Sequence, residues 1–199
     1  MRKMDDAKQT HVPACAQAPR AGKAVALTAA LLVLLTACGA PGTSTGLVEW
    51  PNRAGEEIGP AIGQVAPNFT LPTAAGEVLT LAEVIGEPVV LNFFASWCTS
   101  CREEMALFEE TSRDGTTVVG VNLRETEEVV RGLAAETGAT FPLALDRSGE
   151  VTRAYKVTSL PATYLLDGDG RVVTMVRGPL NEDGLETLLT LVDDGEGET

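Results

Sequence analysis

Histidine is nearly missing from this chain: of 199 residues only His11 is one, and it stands in a basic N-terminal segment. Cysteine is scarce as well, with four in all, at Cys15, Cys38, Cys98 and Cys101. No apolar run is long enough to cross a bilayer, since the longest, Ala24 to Ala37, holds 14 residues and a spanning helix needs about 20. A basic segment (Arg2, Lys3, Lys8, Arg20 and Lys23 against Asp5 and Asp6) leading into such a run is instead the pattern of a secretory signal. Removal of residues 1–37, as that pattern implies, takes away the only histidine and Cys15 together. Catalysis by Ser-His or Cys-His pairs, and metal held by histidine, are then excluded.

The signal-like segment ends on Leu35-Thr36-Ala37-Cys38-Gly39, which resembles the lipobox of bacterial lipoprotein precursors. That resemblance implies cleavage before Cys38 and a diacylglycerol on its sulfur, an anchor that holds firmly once two or more acyl chains are present. Taking the five cations and two anions of residues 1–37 from 15 Lys+Arg and 28 Asp+Glu leaves 10 against 26, a net charge of −16. So acidic a chain argues against nucleic acid or an anionic lipid surface as a partner. With Cys38 lipidated, Cys98 and Cys101 have only each other, and no cysteine remains for a structural bridge.

Residues 38–57 begin Gly-Ala-Pro-Gly-Thr-Ser-Thr-Gly after Cys38, and that composition suits a flexible tether. Residues 193–199 read as a solvated acidic tail, and one domain lies between, at 58–192. Within it, 68–71 and 77–81 alternate around the turn Thr73-Ala74-Ala75-Gly76 and predict a hairpin, followed by a short helix over 81–85. Val89 to Ala95 is a continuous apolar run of the kind buried on both faces of a sheet. A helix from 98 to 113, a strand over 117–123, a helix over 125–137 capped by Gly138, a strand over 141–145 and a short helix over 149–155 follow. Strands over 162–166 and 172–177 flank the turn Asp167-Gly168-Asp169-Gly170, and a helix over 182–192 closes the order. This alternation predicts an α/β fold, a central mixed sheet flanked by helices.

The stretch Trp97-Cys98-Thr99-Ser100-Cys101 falls at the strand-to-helix turn. A helix starting there aims its free N–H groups and positive end at Cys98, favouring thiolate, so Cys98 is the candidate nucleophile and Cys101, one turn on, the resolving thiol. Half a zinc ribbon has the same spacing, but its other two ligands are missing here. A pair of inert core thiols is the remaining structural alternative.

With Asn92-Phe93-Phe94-Ala95-Ser96-Trp97-Cys98-x-x-Cys101, Ala66-Pro67-Asn68-Phe69-Thr70-Leu71 upstream and Ser159-Leu160-Pro161-Ala162-Thr163-Tyr164 downstream, the domain resembles the membrane-tethered thiol-disulfide oxidoreductases of the TlpA/ResA type. The resemblance implies a thioredoxin fold with an added N-terminal β-hairpin and a βα insertion near 141–156. It also implies a redox-active disulfide between Cys98 and Cys101, a cis Pro161, and a substrate-binding surface of Trp97, Leu160 and Pro161, where the Leu160 backbone pairs with substrate as an added strand. Glu104 matches a glutamate that relays a proton to or from the resolving thiol, and a solvated acid near a helix N-terminus is its plain alternative. Asn92 stands where thioredoxin keeps a buried aspartate, and it cannot ionise. Ser100 and Ala106 replace prolines common in relatives; the first bears on the redox balance and the second on how straight the helix runs.

The function expected is an extracytoplasmic protein-disulfide reductase anchored to the cell membrane through Cys38. It would act on protein thiol and disulfide substrates such as apocytochrome c and be recharged by a membrane electron donor, with no cofactor and no metal. A disulfide-forming oxidase uses the same residues in reverse. A peroxiredoxin-like peroxidase would set its cysteine in Pro-x-x-x-Thr/Ser-x-x-Cys, which the residues before Cys98 lack, and a binding lipoprotein with an inert dithiol is the non-enzymatic alternative.

Overall fold

The structure is a computed structural model that describes residues 45–193; the signal-like segment, Cys38 and the tail after Asp193 lie outside the described residues. In chain order the elements are β1 (Gly46–Leu47), β2 (Phe69–Pro72), β3 (Val78–Thr80), α1 (Leu81–Val84), β4 (Val89–Phe94), α2 (Thr99–Arg113) and β5 (Thr117–Leu123). Then come α3 (Glu127–Thr137), β6 (Leu143–Asp146), α4 (Glu150–Ala154), β7 (Ala162–Leu166), β8 (Val172–Arg177) and α5 (Glu182–Asp193).

Five strands form the main sheet in the order β6-β5-β4-β7-β8, parallel from β4 through β6 and antiparallel from β4 through β8. Every residue of β4 is buried, as a central strand covered on both faces requires. Its side chains alternate between two cores: Val89, Leu91 and Phe93 pack with Phe69, Tyr155 and Tyr164, while Val90 and Phe94 pack with Cys101, Met105, Phe108 and Leu188. Gly120 in β5 has no room for a side chain, because a Cβ would lie 2.8 Å from Leu143 and 2.9 Å from Phe94. This is the thioredoxin fold, with β6 and α4 as the added βα unit.

The hairpin expected before the main sheet is present, but as two strands of three, since β1 pairs with β2. The expected tether is therefore corrected in extent. From Gly46 onward it lies on the domain: the Trp50 indole N–H donates to the Ala66 carbonyl at 2.8 Å, and Arg53 reaches the Asp169 carbonyl at 2.6 Å. A Pro/Gly-rich composition hid one aromatic and one cation whose partners are far along the chain. Strand β6 starts later than the apolar pattern suggests because Pro142 has no N–H for the ladder; its carbonyl still accepts from Gly120 at 2.9 Å. Helix α3 starts at Glu127 rather than 125, with the Thr126 hydroxyl as N-cap and Gly138 at φ 76 closing it.

Candidate active site

Four residues, 95 to 98, carry the chain from the end of β4 into α2. The Cys98 N–H closes this turn on the Ala95 carbonyl at 3.1 Å, and Cys98 then serves as the N-cap of α2 with extended backbone, φ −85 and ψ 107. An N-cap side chain accepts from the orphan N–H groups of the first turn. Here the acceptor is sulfur: Cys98 Sγ takes the Cys101 N–H at 3.3 Å, and the Ser100 hydroxyl lies 3.6 Å away. These donors and the helix dipole favour negative charge on Cys98 once the bond is reduced.

Cys98 and Cys101 are joined as a disulfide, with Cα atoms 5.3 Å apart. Cys98 retains 8% of its surface and Cys101 none, so an incoming sulfur can reach the first and not the second. Trp97 stands 68% exposed beside them. The Leu160–Pro161 bond is cis, at the start of β7. Register brings it to the same end of the sheet, since Ala162 pairs with Phe93, and Leu160 packs against the core that contains both cysteines. The Pro161 carbonyl accepts the Gly178 N–H at 2.9 Å.

Glu104 is buried on α2, one turn after Cys101 and on the same face. Three carboxylic acids are buried among the described residues, Glu104, Glu109 and Asp146, and two are fully engaged. Glu109 accepts from the Thr140 hydroxyl at 2.8 Å and pairs with Arg113, and Asp146 accepts both the Thr152 N–H and hydroxyl at 2.8 Å. Glu104 differs. One oxygen accepts the Leu180 N–H, while the other is buried with no partner among the described residues. Burial raises its pKa to about 7, against the lowering effect of the Leu180 bond. A carboxyl that changes charge near neutrality can hold or release a proton beside a thiol. Asn92 is buried too, and its amide, which cannot ionise, donates to the Thr163 hydroxyl at 3.0 Å.

Glu125, just after β5, is a site residue that sequence reasoning missed. Its carboxylate accepts the Ser96 N–H at 2.7 Å and the Ser96 hydroxyl at 2.5 Å. The spacing Asn122-x-x-Glu125 at the end of a strand beside β4 is the only signal in the sequence, and a weak one.

Residues 62–175 match the model of the AhpC/TSA family. The thiol-disulfide oxidoreductase ResA of Geobacillus kaustophilus is 34% identical over 163 residues, spanning 80% of this chain and 90% of the relative. The chain belongs to the thiol-disulfide oxidoreductases of the ResA type. Its fold is also that of a protein assigned as the thiol:disulfide interchange protein DsbE from Chlorobium tepidum, at TM-score 0.60 and 32% identity over 69% of this chain and 99% of the other. A secreted disulfide oxidoreductase of Mycobacterium tuberculosis superposes at TM-score 0.55 with 25% identity, over 63% and 95% of the two chains. As a member of this family the chain is an enzyme that exchanges disulfides with protein thiols.

Proposed function

We propose that this oxidoreductase works as a protein-disulfide reductase outside the cytoplasmic membrane, held there by lipid on Cys38, with apocytochrome c as its substrate class. The observation that carries the reductive direction is Glu104. In its ionised form, a carboxyl buried one turn behind Cys101 disfavours further negative charge on the reduced pair, which shifts the balance toward the disulfide and makes the dithiol the better donor.

In the cycle, the Cys98 thiolate attacks one sulfur of the partner's disulfide, forms a mixed disulfide and releases the partner's other sulfur as thiolate. Cys101 passes its proton towards Glu104 and attacks Cys98 Sγ. The second partner thiolate leaves, and two electrons have moved from the pair to the partner. Trp97, Leu160 and Pro161 form the surface on which the partner strand lies, and a membrane dithiol restores the reduced pair.

Three features support the placement: the lipobox-like end of the N-terminal segment, the pairing of Cys98 and Cys101 as the only thiols left to the domain, and the secreted relative. Trapping with Cys101→Ser tests the reading. The variant is expected to hold a cysteine-bearing apocytochrome on Cys98 as a mixed disulfide in the membrane fraction, and Cys38→Ala is expected to move the protein out of that fraction. Capture only of secreted proteins with structural disulfides would favour the oxidase instead.

A further inference from the structure

We propose that Glu125 is the positioning residue of the redox turn: by binding both donors of Ser96 it holds residues 95–98 in the conformation that seats Cys98 as the N-cap of α2. The inference rests on the thiol-disulfide exchange read for Cys98 and Cys101, and adds to it the group that keeps the attacking sulfur in place.

The geometry begins in the sheet. β4 and β5 run parallel with Phe94 opposite Asn122, so both strands end at one level and the chain leaving each turns over the same edge. Two residues after Phe94 stands Ser96, and three after Asn122 stands Glu125. Arg124, between them, has a left-handed φ of 59, a conformation non-glycine residues rarely adopt and one that turns the chain sharply before Glu125. Glu125 Oε2 then accepts the Ser96 N–H at 2.7 Å and the Asn122 amide at 2.7 Å, while Oε1 accepts the Ser96 hydroxyl at 2.5 Å. The Asn122 side-chain oxygen in turn accepts the Glu125 N–H at 3.3 Å.

Three donors converge on one carboxylate, an acceptor-only group whose hydrogen bonds are among the stronger kind. The Ser96 N–H has no neighbouring strand to bond, because the ladder of β4 ends at Phe94. Two residues on, Cys98 must keep its sulfur over the Cys101 N–H for the thiolate to be favoured. A turn left loose at Ser96 would let that sulfur drift from the helix end, and small misplacements of a reacting group are costly to rate.

Charge and position predict opposite results, which makes the proposal testable. If Glu125 acted only as a nearby negative charge, removing it would lower the Cys98 thiol pKa, equally in Glu125→Ala and Glu125→Gln. Positioning predicts that Glu125→Ala raises it and slows reduction of a peptide disulfide by tenfold to a hundredfold, roughly the cost of a misplaced reacting group. Glu125→Gln, whose carbonyl still accepts from Ser96, is expected to recover most of the rate.

The experiment uses the reduced full chain and measures iodoacetamide alkylation of Cys98 against pH, with peptide-disulfide reduction alongside. Ser96→Ala, which removes one donor and leaves the fold's core untouched, is expected to give a smaller loss in the same direction. The double variant Ser96→Ala/Glu125→Ala is expected to be no slower than Glu125→Ala alone. Wild-type behaviour in all variants, equal lowering of the pKa in Ala and Gln, or additive losses in the double variant would each overturn the proposal. A wild-type Cys98 that titrates near the free-thiol value of about 8.5 and reduces nothing would instead overturn the redox reading on which it rests.

Discussion

The carboxyl of Glu104, in the redox helix, accepts the backbone N–H of Leu180, which lies between the last strand and the last helix. Two residues before Leu180, the Gly178 N–H donates to the carbonyl of Pro161 at 2.9 Å. One short loop thus ties the buried acid behind the cysteines to the cis-proline beside them.

Replacing that acid is expected to change both rate and stability. Burial holds the Glu104 pKa at about 7, above the ordinary 4.5, so between those values the native chain holds a proton that the unfolded chain releases. Stability from this group is therefore full below about 4.5, falls as pH rises to about 7, and stays at the lower level beyond. Urea denaturation of the oxidised protein is expected to show this decline, on the order of 3 kcal/mol at most, and Glu104→Gln is expected to lack it. The same variant is expected to lose a limb near pH 7 from the pH–rate profile of disulfide reduction and to run about tenfold slower or more. Profiles that coincide for the two proteins would leave Glu104 without a proton-transfer role.

Ser100 stands beside Cys98 rather than Glu104. Its hydroxyl sits 3.6 Å from Cys98 Sγ, where it can donate to the thiolate. Ser100→Ala is expected to raise the Cys98 thiol pKa, slow alkylation at pH 7 by about threefold and lower the reduction potential of the pair by about 15 mV. An unchanged alkylation profile would show that the Cys101 N–H and the helix dipole account for the activation alone.

Trp50 tests where the folded domain begins. Its indole bonds the Ala66 carbonyl and its ring packs against the core beside β2. Trp50→Ala is expected to lower stability by about 2 kcal/mol in urea denaturation, less than a fully buried Trp would cost. A free tether would give no change.

Much of this architecture is legible in the sequence because its signals are local. The apolar run Val89 to Phe94 has nowhere to go but the centre of a sheet, and Gly138 closes its helix at the place where a left-handed residue is needed. The cysteine pair is read from spacing and its turn. Glu104 and Glu103 are neighbours of one composition, yet one is buried and the other exposed. What separates them is helical phase, since Cys101, Glu104, Met105 and Phe108 share the buried stripe. Glu125, Trp50 and Arg53 are harder to see, because each acts on a group that only folding brings near: Ser96 is 29 residues from Glu125, and Asp169 is 116 from Arg53. Sequence patterns report periodicity and turn chemistry; they do not report which distant carbonyl a side chain will meet.

The reductive direction is the central claim, and equilibrium of the Cys98/Cys101 pair against a redox buffer of known potential tests it most directly. A value near that of thioredoxin, about −270 mV, or lower is predicted, and a value near about −120 mV, where a pair installs disulfides rather than removing them, would contradict it.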